Sequence, residues 1–72
     1  MVKETILLDS IEKVESLVKL ANSKKYDVDI SSGKYLVNAK SIMGVFSLDL
    51  TLPVTVVAED GDRFLTEQLK KI

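Results

Sequence analysis

The run Tyr26-Asp27-Val28-Asp29-Ile30 alternates apolar and acidic side chains. Neighbouring residues of a strand point to opposite faces, so this pattern specifies a strand with one face buried and one wet. Ser31-Ser32-Gly33-Lys34 then supplies a turn in which Gly33 can take positive φ, and Tyr35-Leu36-Val37-Asn38-Ala39 reads as the returning strand of a hairpin. A hairpin with a single apolar face needs a cover.

The preceding segment provides one. Ile11, Val14, Leu17, Val18 and Ala21 recur at spacings of three and four, with Leu20 widening the stripe, which predicts an amphipathic helix ending near Asn22-Ser23-Lys24-Lys25. Asp9 and Ser10 can each cap its start, and Asp9 with Glu12 resembles a capping box. Glu12 and Glu15 suit the positive end of the helix. Helix and hairpin are expected to bury one another.

Four further elements follow from local signals. Val2 to Leu8 is rich in Val, Ile, Leu and Thr and too short for a helix of its own, so it reads as a first strand. Ser41 can cap a short helix running to about Ser47, weakened internally by Gly44. Thr51 to Ala58 reads as the last strand, with Pro53 marking an edge position or a strand beginning. Glu59-Asp60-Gly61-Asp62 is a turn in which Asp62 caps a closing helix with Leu65, Leu69 and Ile72 on one face. The order places the chain among α+β folds, with helices on one face of an antiparallel sheet.

Composition narrows function. Seventy-two residues suit one domain, residues 1–72, and a content of 46% hydrophobic and 29% charged residues is that of a globular chain. Ten basic against eleven acidic residues give a net charge of -1, so no general field attracts nucleic acid or anionic lipid. Cysteine and histidine are both absent, which removes thiol and imidazole nucleophiles and most zinc chemistry. Met1-Val2-Lys3-Glu4 does not open a signal peptide, and about 18 consecutive apolar residues occur nowhere. The expectation is a cytoplasmic protein that is not an enzyme and has no cofactor or metal.

The segment from Gly33 to Leu48, and above all Asn38-Ala39-Lys40-Ser41-Ile42-Met43-Gly44, resembles the signature of HPr, the phosphocarrier protein of the bacterial sugar phosphotransferase system. The resemblance runs from Leu17-Val18-Lys19-Leu20-Ala21-Asn22 to Val54-Thr55-Val56-Val57-Ala58 and the turn beyond. It implies an open-faced β-sandwich in which three helices cover a four-stranded antiparallel sheet. In that family a loop between the first strand and first helix carries a phosphorylated histidine, followed within a few residues by an arginine that stabilises the phosphoryl group.

Aligned back from Ala21-Asn22, the histidine's place falls on or near Ser10, the arginine's on Glu12 and a following proline's on Lys13, in a loop that looks several residues shorter. A serine ester is far less labile than a phosphorylated imidazole, and Glu12 repels a phosphate that arginine would pair with. No catalytic residue is therefore assigned, and Asp9, Ser10 and Glu12 read as a helix start.

Two features remain for function. The resemblance matches Ser41 to the serine that a dedicated kinase phosphorylates in HPr of many Gram-positive bacteria, where added negative charge meets a helix N-terminus. The competing reading is a plain N-cap serine. Lys40, Ile42, Met43 and Phe46 fall where the family docks partners, against a reading in which Ile42 and Met43 merely cover the core and Phe46 and Leu48 point inward.

Asp27 with Asp29, and Glu59 with Asp60 and Asp62, lack the ligand count of a cation site and read as solvated edges. The pairs Lys24-Lys25 and Lys70-Lys71 suit helix C-termini. The leading expectation is a non-catalytic HPr-like module meeting a protein partner, such as an HPr-type Ser kinase or a transcriptional regulator, through the Ser41–Ser47 helix. The alternatives are a phosphocarrier using a residue other than histidine, and a self-associating protein whose short first link favours a swapped homodimer.

Overall fold

The computed structural model describes residues 1–59 and 63–72. In order the elements are β1 (Val2–Ile6), α1 (Ile11–Asn22), β2 (Val28–Ser32), β3 (Tyr35–Asn38), α2 (Ile42–Phe46), β4 (Val54–Ala58) and α3 (Arg63–Lys70). The proposed cap Asp62 and its turn mates Asp60 and Gly61 lie outside the described residues.

Four strands form one sheet in the order β1-β4-β2-β3, and every pairing is antiparallel. β1 and β2 therefore run parallel on either side of β4, and β3 and β4 run parallel on either side of β2. The sheet is thus built from two interleaved crossovers, β1-α1-β2 and β3-α2-β4, closed by α3 against β1.

The core lies between the helices and one sheet face. On β2 and β4 the inward set Val28, Ile30, Val54, Val56 and Ala58 is at most 2% exposed, whereas the outward Asp29, Ser31, Thr55 and Val57 are half-buried. Pairing keeps the sets in step, with Val28 opposite Ala58 and Ile30 opposite Val56. A slip of one residue would turn Val28, Ile30, Val54, Val56 and Ala58 to water. The helices contribute Val14, Leu17 and Ala21 from α1, Val45 from α2 and Leu65 and Leu69 from α3, all at most 1% exposed. Burying one such Leu side chain contributes about 1.5–3 kcal/mol.

The hairpin is tighter than its turn chemistry predicts. Ser31 and Ser32 stay in β2, Ser32 pairs with Tyr35, and the loop is Gly33-Lys34 alone. Gly33 takes φ 58, as the first position of a II′ hairpin turn requires. β2 also begins later than expected, at Val28, and β1 ends at Ile6 rather than Leu8. Leu8 is nonetheless 1% exposed and pins the link to the core. Pro53 precedes β4 and marks its beginning; the edge reading fails, because β4 lies in the middle of the sheet.

Two expectations of burial are corrected. Ile11 was expected in the α1 stripe and is 63% exposed, because it is the first helical residue and overhangs the core. Phe46 was expected inward and is 44% exposed, because Val45 fills the inward position of α2. Leu48 is inward, at 9%.

Candidate functional site

The link Leu7–Ser10 joins β1 to α1. Ser10 is the N-cap: its backbone is extended and its Oγ accepts the Lys13 N–H at 3.2 Å. That bond satisfies one of the orphan donors of the first turn. With Ser10 as cap, the expected Asp9–Glu12 box does not form; the Asp9 carboxylate instead pairs with Lys13 Nζ at 2.9 Å. The hydrogen bond and charge of Lys13 hold the Asp9 carboxyl below its ordinary value, while Glu12 is exposed on the first turn. The site where the resemblance puts a phosphoryl group thus has a hydroxyl engaged as a cap next to the Asp9–Lys13 ion pair, with Glu12 exposed on the first helical turn.

Ser41 caps α2 in the same way, its Oγ accepting the Gly44 N–H at 3.2 Å. A Cβ on Gly44 would sit 3.3 Å from Ser41 Oγ, tight enough that the capping hydroxyl would give by a few tenths of an ångström, and 3.6 Å from Val37 Cβ, an ordinary contact. The backbone leading into the cap is tied at three points. Asn38 Oδ1 accepts the Lys40 N–H at 2.9 Å, Asn38 O accepts the Ser41 N–H at 3.0 Å, and Asn22 Nδ2 donates to both Val18 O (2.9 Å) and Lys40 O (3.1 Å). Asn22 therefore couples the end of α1 to the start of α2, so the Ser41 hydroxyl projects from a fixed frame while remaining exposed.

On α2, Ile42, Met43 and Phe46 are 38%, 77% and 44% exposed, and Lys40 is half-buried just before the helix. Phe46 faces the start of α1 across an open groove of about 350 Å³. Leu8 and Val14 form its floor, Ile11, Phe46 and Leu50 its apolar walls, and Asp9 and Ser10 lie on its rim. The structure therefore brings the Ser10 region and the far end of α2 to one groove, with Ser41 at the opposite end of α2. Ile11 and Leu50 are contributors that sequence reasoning missed. Ile11 opens α1, where one helix turn has no preceding turn to shield it, and that position is its sequence signal.

Asp27, Asp29 and Glu59 border a separate hollow on the other side of the sheet region, with Lys25 and Tyr26. Among the described residues no three acidic side chains are grouped to hold a metal ion.

Comparison with known proteins places this geometry. A family model described as the PTS HPr component phosphorylation site matches residues 13–69. The chain belongs to the HPr family. The match begins at Lys13 and so leaves the Leu7–Ser10 link outside it. Among solved structures, HPr-C-His from Thermoanaerobacter tengcongensis is similar at 25% identity and a TM-score of 0.80, over 99% of this chain and 89% of that one.

The histidine-containing phosphocarrier protein of Mycoplasma shares the fold at 20% identity and a TM-score of 0.77, over 97% and 89% of the two chains. HPr from Bacillus anthracis shares it at 24% and 0.68, over 94% and 95%. No curated protein matches the chain. The open sheet with three helices is the HPr-like α+β fold, and among the described residues no helix is long and apolar enough to cross a membrane.

Proposed function

We propose that this HPr-family chain is a non-catalytic regulatory module that binds protein partners through α2 and is switched by phosphorylation at Ser41. The observation that carries the reading is a sequence without histidine whose link before α1 holds a serine engaged as a helix cap beside the Asp9–Lys13 ion pair. Reversible phosphate relay needs a nucleophile with a good leaving tendency in a cationic surrounding. Ser10 offers neither: its hydroxyl forms a stable ester, and the cation beside it, Lys13, is paired with Asp9.

Ser41 has the opposite setting. Its hydroxyl is exposed and already directed at a helix N–H, so phosphate oxygens can take over the cap and add about two negative charges. Those charges would arrive beside the exposed apolar surface of Ile42, Met43 and Phe46, where they change which partner the face can hold. Lys40, immediately before the cap, supplies a counter-charge. The partners this implies are an HPr-type Ser kinase and a protein that reads the phosphorylated or bare α2 face, such as a transcriptional regulator.

Incubation with an HPr-type Ser kinase and ATP, followed by intact-mass measurement, tests the switch. The expected result is one phosphate on the wild-type chain and none on Ser41→Ala. An unmodified chain beside a modified control HPr contradicts it. Pull-down with wild type and Met43→Asp tests the face, since a carboxylate in the middle of an apolar contact is expected to abolish capture.

A further inference from the structure

We propose that β3, at the open edge of the sheet, pairs antiparallel with β3 of a second copy of this chain, so that two sheets join about a two-fold axis through Leu36. The inference uses neither the Ser41 switch nor the groove beside α1, and it stands or falls apart from the function proposed above.

The two edges of the sheet differ in charge. β1 carries Lys3 and Glu4 within the strand, and charges on an edge strand keep it from pairing with another chain. β3 reads Tyr35-Leu36-Val37-Asn38, without a charge or a proline, and Tyr35 and Leu36 are 71% and 67% exposed. An uncharged edge with large apolar side chains in water is a template for a further strand.

The backbone fixes which groups that template offers. The Ala39 N–H donates to Val28 O at 2.8 Å, in step with the pairing of Val37 with Ile30 and of Tyr35 with Ser32. Alternate residues of an antiparallel strand turn their N–H and C=O to opposite sides, so Tyr35 and Val37 face β2 while Leu36 and Asn38 face outward. The Asn38 carbonyl already accepts the Ser41 N–H at 3.0 Å. Leu36 is thus the β3 residue with both backbone groups open to a new strand. A second Leu36 supplies the same donor and acceptor, and the pair can exchange two hydrogen bonds across the axis.

The side chains agree with that register. The two leucines meet on the face of the sheet opposite the helices, and Tyr35 of each copy lies opposite Val37 of the other on the helix-bearing face. Lys34 falls opposite Asn38. Moving the axis to Val37 would instead set Leu36 against Asn38, whose carbonyl is occupied, and would bring Lys34 towards Lys40 of the second copy. Charge also selects the occupant: a strand bearing charged residues would bury them against Leu36 and Tyr35, whereas β3 brings none. The product is one continuous eight-stranded sheet with β1 at each end. A contact of four residues a side belongs with weak, concentration-dependent association.

Sedimentation equilibrium and amide NMR on the whole chain, from about 10 μM to about 3 mM, test the pairing. The mass is expected to rise from one copy to two with a dissociation constant between about 0.1 and about 1 mM. Amide shifts are expected at Lys34–Asn38, and the Leu36 amide is expected to gain protection from exchange as concentration rises. Leu36→Lys and Leu36→Glu lie at an exposed position outside the core, and each alone is expected to associate at least about tenfold more weakly, because like charges meet across the axis. An equimolar mixture of the two is expected to recover the dimer, since opposite charges then face each other.

A wild-type chain that stays a single copy at about 3 mM would overturn the proposal. So would either variant alone dimerising as wild type does, or a mixture that stays monomeric. Mass rising past two copies would mark chaining of β1 to β3, and a dimer whose shifts fall on Leu7–Ser10 in place of Lys34–Asn38 would mark exchange of β1; both results contradict a two-fold β3 pairing.

Discussion

Ser10 separates the two readings of the link before α1, because as a helix cap it acts on stability whether or not it ever meets phosphate. Its Oγ receives one hydrogen bond, from the Lys13 N–H at 3.2 Å, in a part-buried setting. Replacement by alanine leaves that donor to water and is expected to cost about 1 kcal/mol, within the range of roughly 0.5–2 kcal/mol for N-cap loss. In a domain of 60–100 residues that corresponds to a fall in Tm of about 4–8 °C.

Asp at the same position retains an acceptor and adds favourable charge at the helix start, so Ser10→Asp is expected to stay within about 0.5 kcal/mol of wild type. Thermal and urea unfolding followed by circular dichroism measures both variants. An alanine variant as stable as wild type would refute the capping account, as would an aspartate variant destabilised as much as alanine. Either result would reopen Ser10 as a residue held for its hydroxyl chemistry.

Other consequences are as direct. Leu17→Ala, at a fully buried position facing the sheet, is expected to cost about 2–5 kcal/mol in urea unfolding, much of the stability of a domain this small. Gly33→Ala has no neighbour within 4 Å to clash with, so its cost is the backbone's alone at φ 58, about 1–3 kcal/mol in thermal or urea unfolding.

The Asp9 carboxyl is held below its ordinary value first by the hydrogen bond from Lys13 and then by its charge. Its contribution to stability is therefore present above the unfolded-state value and disappears as pH falls through the folded one. Carboxyl NMR titration is expected to show the Asp9 midpoint moving up in Lys13→Met.

Alternation is local, so the strand and buried face at Val28 and Ile30 were legible, and Thr51 to Ala58 was legible as a strand from its β-branched, apolar composition, without a face or a register. The position of β4 between β1 and β2 was not legible, since strand order depends on partners far along the chain, and Pro53 is equally compatible with an edge or a beginning. The α1 stripe identified Val14, Leu17 and Ala21 correctly but included Ile11. Periodicity reports which side of a helix a residue occupies, not whether the neighbouring element extends far enough to cover it.

Phe46 failed for a related reason. Val45, one residue earlier, takes the inward place on a helix only five residues long, and size gave no warning that the larger side chain would be left outside. The two misplaced residues are, with Leu50, the apolar walls of the groove, although the family resemblance had already named Phe46 beside Ile42 and Met43 as a docking residue. Ser41 was legible as a cap. Its support by Asn22 and Asn38 was not, because one of those contacts spans 18 residues.

The account stands on the claim that this HPr-family chain does not relay phosphate from phosphoenolpyruvate. Incubation with phosphoenolpyruvate and the first enzyme of the phosphotransferase system, with intact-mass detection and a histidine-containing HPr alongside, measures this directly. The account predicts an unchanged mass while the control gains a phosphate. A phosphate acquired by this chain and passed on to a sugar permease would contradict it.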